Sequence, residues 1–505
     1  MALKDKIEEF VRHYLKPYPP DTKKSKFVHD PVWGTIEILS HECCILDSPL
    51  LQRLRQIHQT GFVNATFPSA THTRFEHTIG VMHLAGRIAT TLQARYRDAD
   101  EKTKQKVRLA ALMHDTGHAA FSHTTEEIYD SRFDLRELVG KGGEFEGKGA
   151  GEVLSYLIAT SESFKTFYYQ IRQNHRELEV DIEDFAPLIL GRARPEKQFE
   201  AEIISGPIDA DKLDYFPRDG RAAGIELAVD IERLLHCLGI APEVRGGVTF
   251  QTMVVSRGGY NAIQQLLFAR ATLFATVYHH HKVRACDCMV KAVFEYFSNE
   301  GLKFKKNNAS GGFSMDSAAD FLHITDSDFF AEAYSHSPES EPHQLIHDIL
   351  YRRLFQRILT VGRNTIQNFD DPSQRAGYAE FYNLRSKPRS ELRQLVREII
   401  SRAKVNVDAH DVWLDIPRDP SFKKAGEARV NLSPRNGTPR LIDLQTVIPI
   451  VEWMSTYSQY YAQSFLFGPP DLAIRTKLAA GAVEVLNERF DLKFNADAFA
   501  EGISY

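Results

Sequence analysis

Residues 107–126, VRLAALMHDTGHAAFSHTTE, gather three histidines and two carboxylates. His114 and Asp115 stand side by side and offer one imidazole nitrogen and one carboxylate oxygen, a mixed donor set suited to a divalent cation. His118 comes four residues after His114, then His123, with Glu126 three places further. So dense a set exceeds what solvating a surface requires. The plain alternative is a helix end with scattered polar caps.

Such side chains need elements that deliver them. Val107, Ala110, Ala111 and His114 recur at helical spacing, so an apolar helix presents the His-Asp pair at its end. In RFEHTIGVMHLAGRIATTLQARY, His77, Val81, Leu84 and Ile88 share a face, which points His77 inward with the aliphatics. Alone it reads as a core histidine with a hydrogen-bond partner; the next helix, ending in His114-Asp115, makes it a candidate ligand. A second acidic stretch, IISGPIDADKLDYFPRDGRAAGI, interleaves Asp209, Asp211, Asp214 and Asp219 with Lys212, Tyr215 and Arg218. It lacks the glycine and closing Glu of a calcium loop, and a charged surface helix is its alternative reading.

With 505 residues the chain can bury a large core, in two lobes more readily than one. A net charge of -5 argues against bulk nucleic-acid binding. The opening MALKDKIEEFVRHYL reads as an amphipathic helix without a signal peptide's apolar core, and no run reaches a membrane-spanning length. The expectation is a cytoplasmic protein. Five cysteines, an odd count, suggest reduced thiols, and Cys286-Asp-Cys288 has no second pair to complete a metal site.

In chain order, FVHDPVWGTIEIL alternates like a strand pair around Gly34, and DSPLLQRLRQIHQTGF starts a helix at Pro49. Leu50, Leu51, Leu54 and Ile57 form the inner stripe of that helix, with Gln52, Arg53, Arg55 and Gln59 on its other faces. Gly140–Gly151 reads as a surface loop or lid, without a phosphate-cradling loop's GK[ST] ending. Residues 260–298 read as a long buried helical region, and helices continue to about Arg363. DVWLDIPRDPSF and EARVNL read as strands, and DLQTVIPIVEWMSTYSQYY as a helix. The pattern predicts a mainly α protein: a leader helix over 1–25, a helical core with small antiparallel β elements over 26–330, and a C-terminal α+β lobe over 331–505.

In sequence order, RFEHTIGV, HDTGHAAFSH and IDADKLDYFPRD together resemble the HD-domain phosphohydrolases. Within them the chain is most similar to the dNTP triphosphohydrolase branch, which holds bacterial enzymes and the vertebrate enzyme with a sterile-alpha-motif appendage. DPVWGTIEI, LQRLRQIHQTG, FPSATHTRFEH, TVYHHHKV, YRRLF and DVWLDIPRDPSF also resemble family segments in family order, covering about residues 26–480. A lone His-Asp pair is weak evidence; this ordered set is specific.

The resemblance implies that residues 26–330 form the HD-domain catalytic core and that His77, His114, Asp115 and Asp211 hold one divalent metal ion. Two nitrogens and two carboxylates suit manganese, iron or magnesium better than a closed zinc site, and a second magnesium would accompany the triphosphate. It further implies Arg74, His118, Lys212, Tyr215 and Arg270 against the phosphates, and Tyr278 near the base or sugar. Gln59 and Asp219 would hold the sugar 3'-hydroxyl. His123 and Glu126 match the catalytic pair that delivers a proton to the leaving oxygen, with His118 alongside. The products would be a deoxynucleoside and triphosphate. Asp47, Gln52, Arg55 and Arg352 match positions that bind an activating nucleotide, GTP or a dNTP, between subunits of a dimer or tetramer. Alternatives are an HD-type hydrolase of monophosphates, ribonucleotides or oligonucleotides, or a catalytically weak nucleotide sensor. The sequence departs from the family at two places: Glu146 or a neighbour stands where a pocket histidine is usual, and Phe274 replaces a second one.

Overall fold

The computed structural model describes residues 2–20, 23–305, 312–335, 337, 339–417, 426–432, 440–461 and 463–503. The chain forms two compact units, one of residues 1–270, 306–329 and 421–451, the other of 271–305, 330–420 and 452–505. The described residues are mainly α, with nine short strands: β1 (Lys26–Asp30), β2 (Gly34–Ile38), β3 (Leu238–Arg245), β4 (Val248–Ser256), β5 (Gln356–Val361), β6 (Trp413–Asp415), β7 (Arg429–Asn431), β8 (Leu441–Asp443) and β9 (Ser464–Gly468). None of their helices is long and apolar enough to cross a membrane.

The first unit is organised on two helices, Arg74–Gln93 and Glu101–Met113. Asp100 caps the second, accepting the Thr103 amide at 2.7 Å. From Val107 to Met113 every side chain of that helix is buried, so its C-terminal turn is enclosed and carries His114 out of the core. His77, Val81, Leu84 and Ile88 are all buried, as their spacing requires. β1 and β2 form the expected hairpin, closed by Gly34 at φ 72°, a backbone region glycine enters without a Cβ clash. β3 and β4 form a second antiparallel hairpin, extended by β7 parallel to β4 and by β8. The helix Leu3–Leu15 buries Leu3, Ile7, Phe10, Val11 and Leu15, the stripe expected of an amphipathic segment.

The second unit sets the sheet β5-β9-β6, antiparallel throughout, against an apolar core. Ile358, Leu466, Leu395, Ile399, Leu478 and Val485 bring the sheet and the helices Arg389–Ala403 and Leu472–Phe490 into one cluster.

Several local expectations change. The Pro49 helix lasts only to Gln52 and tightens to a 3-10 turn over Arg53–Gln56, which brings Arg53 inward, to 4 % exposure, rather than onto a solvated face. The region read as helix up to Arg363 ends in β5, where Ile358, Leu359 and Val361 suit a buried strand. The span 260–298 is two helices, Tyr260–Leu273 and His281–Asn299, separated by a π turn. Around Pro449 the next helical stretch divides into Leu444–Val447 and Ile450–Tyr461, since proline has no amide to donate. The glycine-rich patch is compact rather than open: Phe145 is buried and its amide bonds to the Leu138 carbonyl at 2.8 Å.

Candidate metal centre and active site

His77, His114 and Asp115 bring donor atoms within 4.8 Å of one another. Each imidazole is oriented through its other nitrogen. His77 Nδ1 lies 2.8 Å from Asp214 Oδ2, and His114 Nδ1 lies 2.6 Å from the Ala111 carbonyl. Both Nε2 atoms therefore face the cluster, and both are buried without a hydrogen-bond partner. Asp211 Oδ1 comes within 3.0 Å of His77 Nε2, too poorly aligned for a hydrogen bond. Asp115 presents Oδ1 at 3.4 Å from His114 Nε2, while Arg74 Nη1 donates to its Oδ2 at 2.5 Å. The fit to a divalent cation is good: two orphaned nitrogens and the Asp115 carboxylate converge, with Asp211 against His77 but outside that cluster of three.

The electrostatics favour a cation there. Burial opposes charge on His77, yet the adjacent carboxylates of Asp211 and Asp214 hold its proton to about pH 10. Burial likewise opposes charge on Asp115, but Arg74 and the neighbouring histidines hold its pKa well below the carboxylate range. Asp211 falls to about 2, burial being outweighed by His77. Behind His77 runs a buried relay in which Arg218 donates to Asp214 at 2.7 Å and to Asp30 at 2.9 Å, while Trp33 Nε1 donates to Asp214 at 2.5 Å. Gly80 makes room for it, because a Cβ there would lie 1.9 Å from Asp214 Oδ1.

His118, His123 and Glu126 form a second cluster. His123 Nδ1 sits 2.6 Å from Glu126 Oε2, and the Gly151 amide donates to Glu126 Oε1 at 3.0 Å. Crowding by protein lowers the pKa of His123 and the Glu126 bond raises it, with a net upward direction, while its ring stays 75 % exposed. Glu126 stays ionised well below its ordinary range; burial opposes this, and His118 and His123 outweigh burial. His118 is the opposite case, with burial and then Arg74 pushing it down to about 3. A neutral His118 thus stands beside a His123 held toward its charged form, their rings 5.3 Å apart and perpendicular.

Other candidates fall as follows. Asp219 accepts from His72 Nε2 at 2.8 Å, and the Gln59 backbone N–H donates to the His72 carbonyl at 3.0 Å, so His72 joins the two residues expected to hold a sugar hydroxyl. His72 escaped the sequence reading because it sits in a loop with no periodicity to orient it. Lys212 Nζ is bound to Asp209 and, at 3.0 Å, to the Gly206 carbonyl. Tyr215 has its phenol pKa raised by burial, with Arg270 acting the other way. Tyr278 belongs to the second unit and meets Phe274 edge-on at 5.1 Å. Asp47 pairs with Lys26 at 2.5 Å, and Arg55 Nε donates to Gln52 Oε1 at 2.8 Å while covering the Phe75 ring. Arg352, in the second unit, takes a positive φ of 59°. Glu146 accepts the Gly142 amide at 3.0 Å, and against His118 and Glu126 stands Gly151.

This helical core with its His-His-Asp cluster is that of an HD domain. The HD domain family matches residues 74–216 and the HD associated region family matches residues 229–489; the chain belongs to the HD-domain family. It is similar to deoxynucleoside triphosphate triphosphohydrolase SAMHD1 of Homo sapiens, 30% identical over 66% of this chain and 55% of that protein. A homolog carrying the same name in Dictyostelium discoideum is 28% identical over 66% of this chain and 60% of its own. An uncharacterized protein of Methanocaldococcus jannaschii is 29% identical over 55% of this chain and 52% of its own length. The chain thus spans little more than half the length of these relatives.

Proposed function

We propose that this protein is a metal-dependent phosphohydrolase that cleaves deoxynucleoside triphosphates to deoxynucleoside and triphosphate. The observation that carries the reading is the pair of orphaned imidazole nitrogens beside Asp115 and Asp211, next to a His123–Glu126 pair in which the acid stays ionised. His77, His114, Asp115 and Asp211 would hold one divalent ion, manganese, iron or magnesium rather than zinc. When bound, such an ion withdraws charge from a phosphoryl group and lowers the pKa of water.

The rest is done by the chain. Glu126 takes the Nδ1 proton of His123 in a hydrogen bond, which leaves Nε2 to give its proton to the departing 5'-oxygen. His118, neutral, offers a hydrogen bond to a phosphate oxygen without a charge of its own. Arg74 and Tyr215 lend positive charge and a donor, and Lys212 and Arg270 would complete the phosphate contacts. Gln59 and Asp219, braced by His72, would take the 3'-hydroxyl, and Tyr278 the base. A wall closing on C2' would then exclude ribonucleotides. Asp47, Gln52, Arg55 and Arg352 are the proposed contacts of an activating GTP or dNTP in a homo-oligomer. The name of these relatives, deoxynucleoside triphosphate triphosphohydrolase, supports the dNTP assignment.

The test is product analysis with manganese over dNTP, NTP, NMP and oligonucleotide substrates. Release of triphosphate from dNTPs alone is expected; orthophosphate or pyrophosphate as the sole product rejects the reading. One observation favours slower turnover than a fully equipped site would give: Glu146 is engaged with Gly142, and Gly151, which has no side chain, packs on His118 and Glu126. Metal-loaded protein that binds dNTP without hydrolysis would then be a nucleotide sensor.

A further inference from the structure

Among the described residues, Arg53 is a buried cation without an acid. Its side chain is 4 % exposed, and among those residues its guanidinium donates to backbone carbonyls alone: Nη2 to Thr116 at 2.7 Å, and Nη1 to His118 at 2.9 Å and to Leu322 at 3.2 Å, with Nε unpartnered. Phe10 faces the guanidinium at 5.4 Å, and burial pushes the pKa of the group down, with no carboxylate among its electrostatic neighbours. An unpaired buried charge is costly, and a planar fork that satisfies three carbonyls in two directions is what keeps this one in place.

The carbonyls it holds flank Gly117, in the turn between Asp115 and His118. Turning the Thr116 and His118 carbonyls toward Arg53 sets the peptide planes of that turn, and with them the origin of the His118 side chain. Other bonds hold the same backbone: Ser155 Oγ accepts the Gly117 amide at 2.8 Å, Ile324 the Ala120 amide at 3.2 Å, and Asp326 the Phe121 amide at 2.7 Å. The stretch then runs into Phe121 and Ser122 at φ 56° and 54°, left-handed backbone that side chains seldom adopt unless the surroundings over-determine it. His123 follows directly. Arg53 ties the turn to the 322–326 segment through the Leu322 carbonyl, beside the bonds from Ile324 and Asp326.

We infer that Arg53 is a positioning residue: it holds the 116–122 backbone so that His118 and His123 stand in register with the cluster formed by His77, His114 and Asp115. This rests on the phosphohydrolase reading for its catalytic consequence, though not for its structural one. Arg53→Lys keeps the charge and loses the fork; Arg53→Gln loses both. In Arg53→Lys we expect manganese content equal to wild type and KM nearly unchanged, with kcat down about 10- to 100-fold, the scale of a misplaced catalytic group. Leu234→Ala, at a buried position of the helix Ile231–Cys237, serves as the control for general destabilisation: its Tm falls while kcat holds.

Hydrogen exchange separates this inference from the reading it rests on. In full-length wild type the amides of residues 117–121 should exchange only through global unfolding; in Arg53→Lys they should exchange by local opening, at least about tenfold faster. That result stands even if no nucleotide is hydrolysed, which would sink the function and leave the bracing. Wild-type amides that already open locally, or an Arg53→Lys protein with unchanged exchange and kcat, would overturn the inference. If both variants fail to fold, the wild-type exchange pattern alone decides it.

Discussion

In the second unit Arg284 spreads its guanidinium over two acids, Nε and Nη2 meeting Asp415 at 2.8 and 2.7 Å and Nη1 meeting Asp287 at 3.1 Å. In the first unit the buried charges around His77 end differently, since His77 Nε2, His114 Nε2, Arg74 Nη2 and His118 Nδ1 are buried with no hydrogen-bond partner. The first arrangement is a finished clamp, with every charge-assisted bond made inside the protein. The second leaves several polar atoms short, at about 1–3 kcal/mol each if nothing else meets them. Buried charge alone therefore does not mark a functional site. Buried charge with converging unused atoms does.

The contrast is most easily broken by removing one member of each cluster. His114→Ala or Asp211→Ala should lose the bound manganese and all hydrolysis with a modest change in Tm. Asp415→Ala should instead leave Arg284 with one of these two acids, Asp287, destabilise by about 3–5 kcal/mol, and leave manganese content as in wild type. Metal analysis beside calorimetry checks both; wild-type metal in the Asp211 variant would show the ligand assignment to be mistaken. Next in size is Glu126→Gln, which keeps the shape and removes the charge that holds the proton on His123. A fall in kcat of roughly 10²- to 10⁴-fold is expected, with metal content unaffected. A smaller effect is expected from His72→Ala, which unties Asp219 from its brace: about a tenfold rise in KM for dNTP and weaker discrimination against ribonucleotides, read from paired kinetics.

The smallest effects concern pH and have opposite signs in the two units. Glu42, buried, has its pKa lowered from 4.5 because Arg108 outweighs burial, so its contribution to stability is present above that value and is lost as pH falls below it. Asp411 goes the other way: burial, then Glu341 and Asp408, raise it from 3.8 to about 6. The folded state then binds that proton more tightly than the unfolded one, so stability falls as pH rises from near 3.8 to about 6. Asp411→Asn should raise Tm by roughly 2 °C at pH 7 and leave it unchanged at pH 3.5. An equal shift at both pH values would show that the carboxylate's ionisation is not the cause.

The helices carrying His77 and His114 were legible because apolar residues recur at 3.6-residue spacing over several turns, a signal that owes nothing to distant contacts. The β1–β2 hairpin was legible from alternation around one glycine. The burial of Arg53 was not legible because a helix and a 3-10 turn differ by a few hydrogen bonds that periodicity does not resolve, and that difference decides whether the side chain meets solvent or core. β5 was missed for a similar reason, since a short apolar run suits a strand or a buried helix equally. His72 and Asp214 lay in plain view among polar residues, with no local pattern to say what they would face.

What the sequence determined by itself was the inventory: an apolar helix ending in His-Asp, a histidine on the inner face of its predecessor, an acidic helix far along the chain, and a mainly α fold. These follow from local stereochemistry and from the burial of apolar faces, both written in short windows. Only the tertiary structure decided that Asp211 comes within 3.0 Å of His77 across more than 130 residues, and that Asp214 turns the imidazole toward it. It also decided that an arginine without an acid holds the turn between Asp115 and His118. Those outcomes depend on which buried polar atoms find partners, and that balance is struck among residues no local pattern connects.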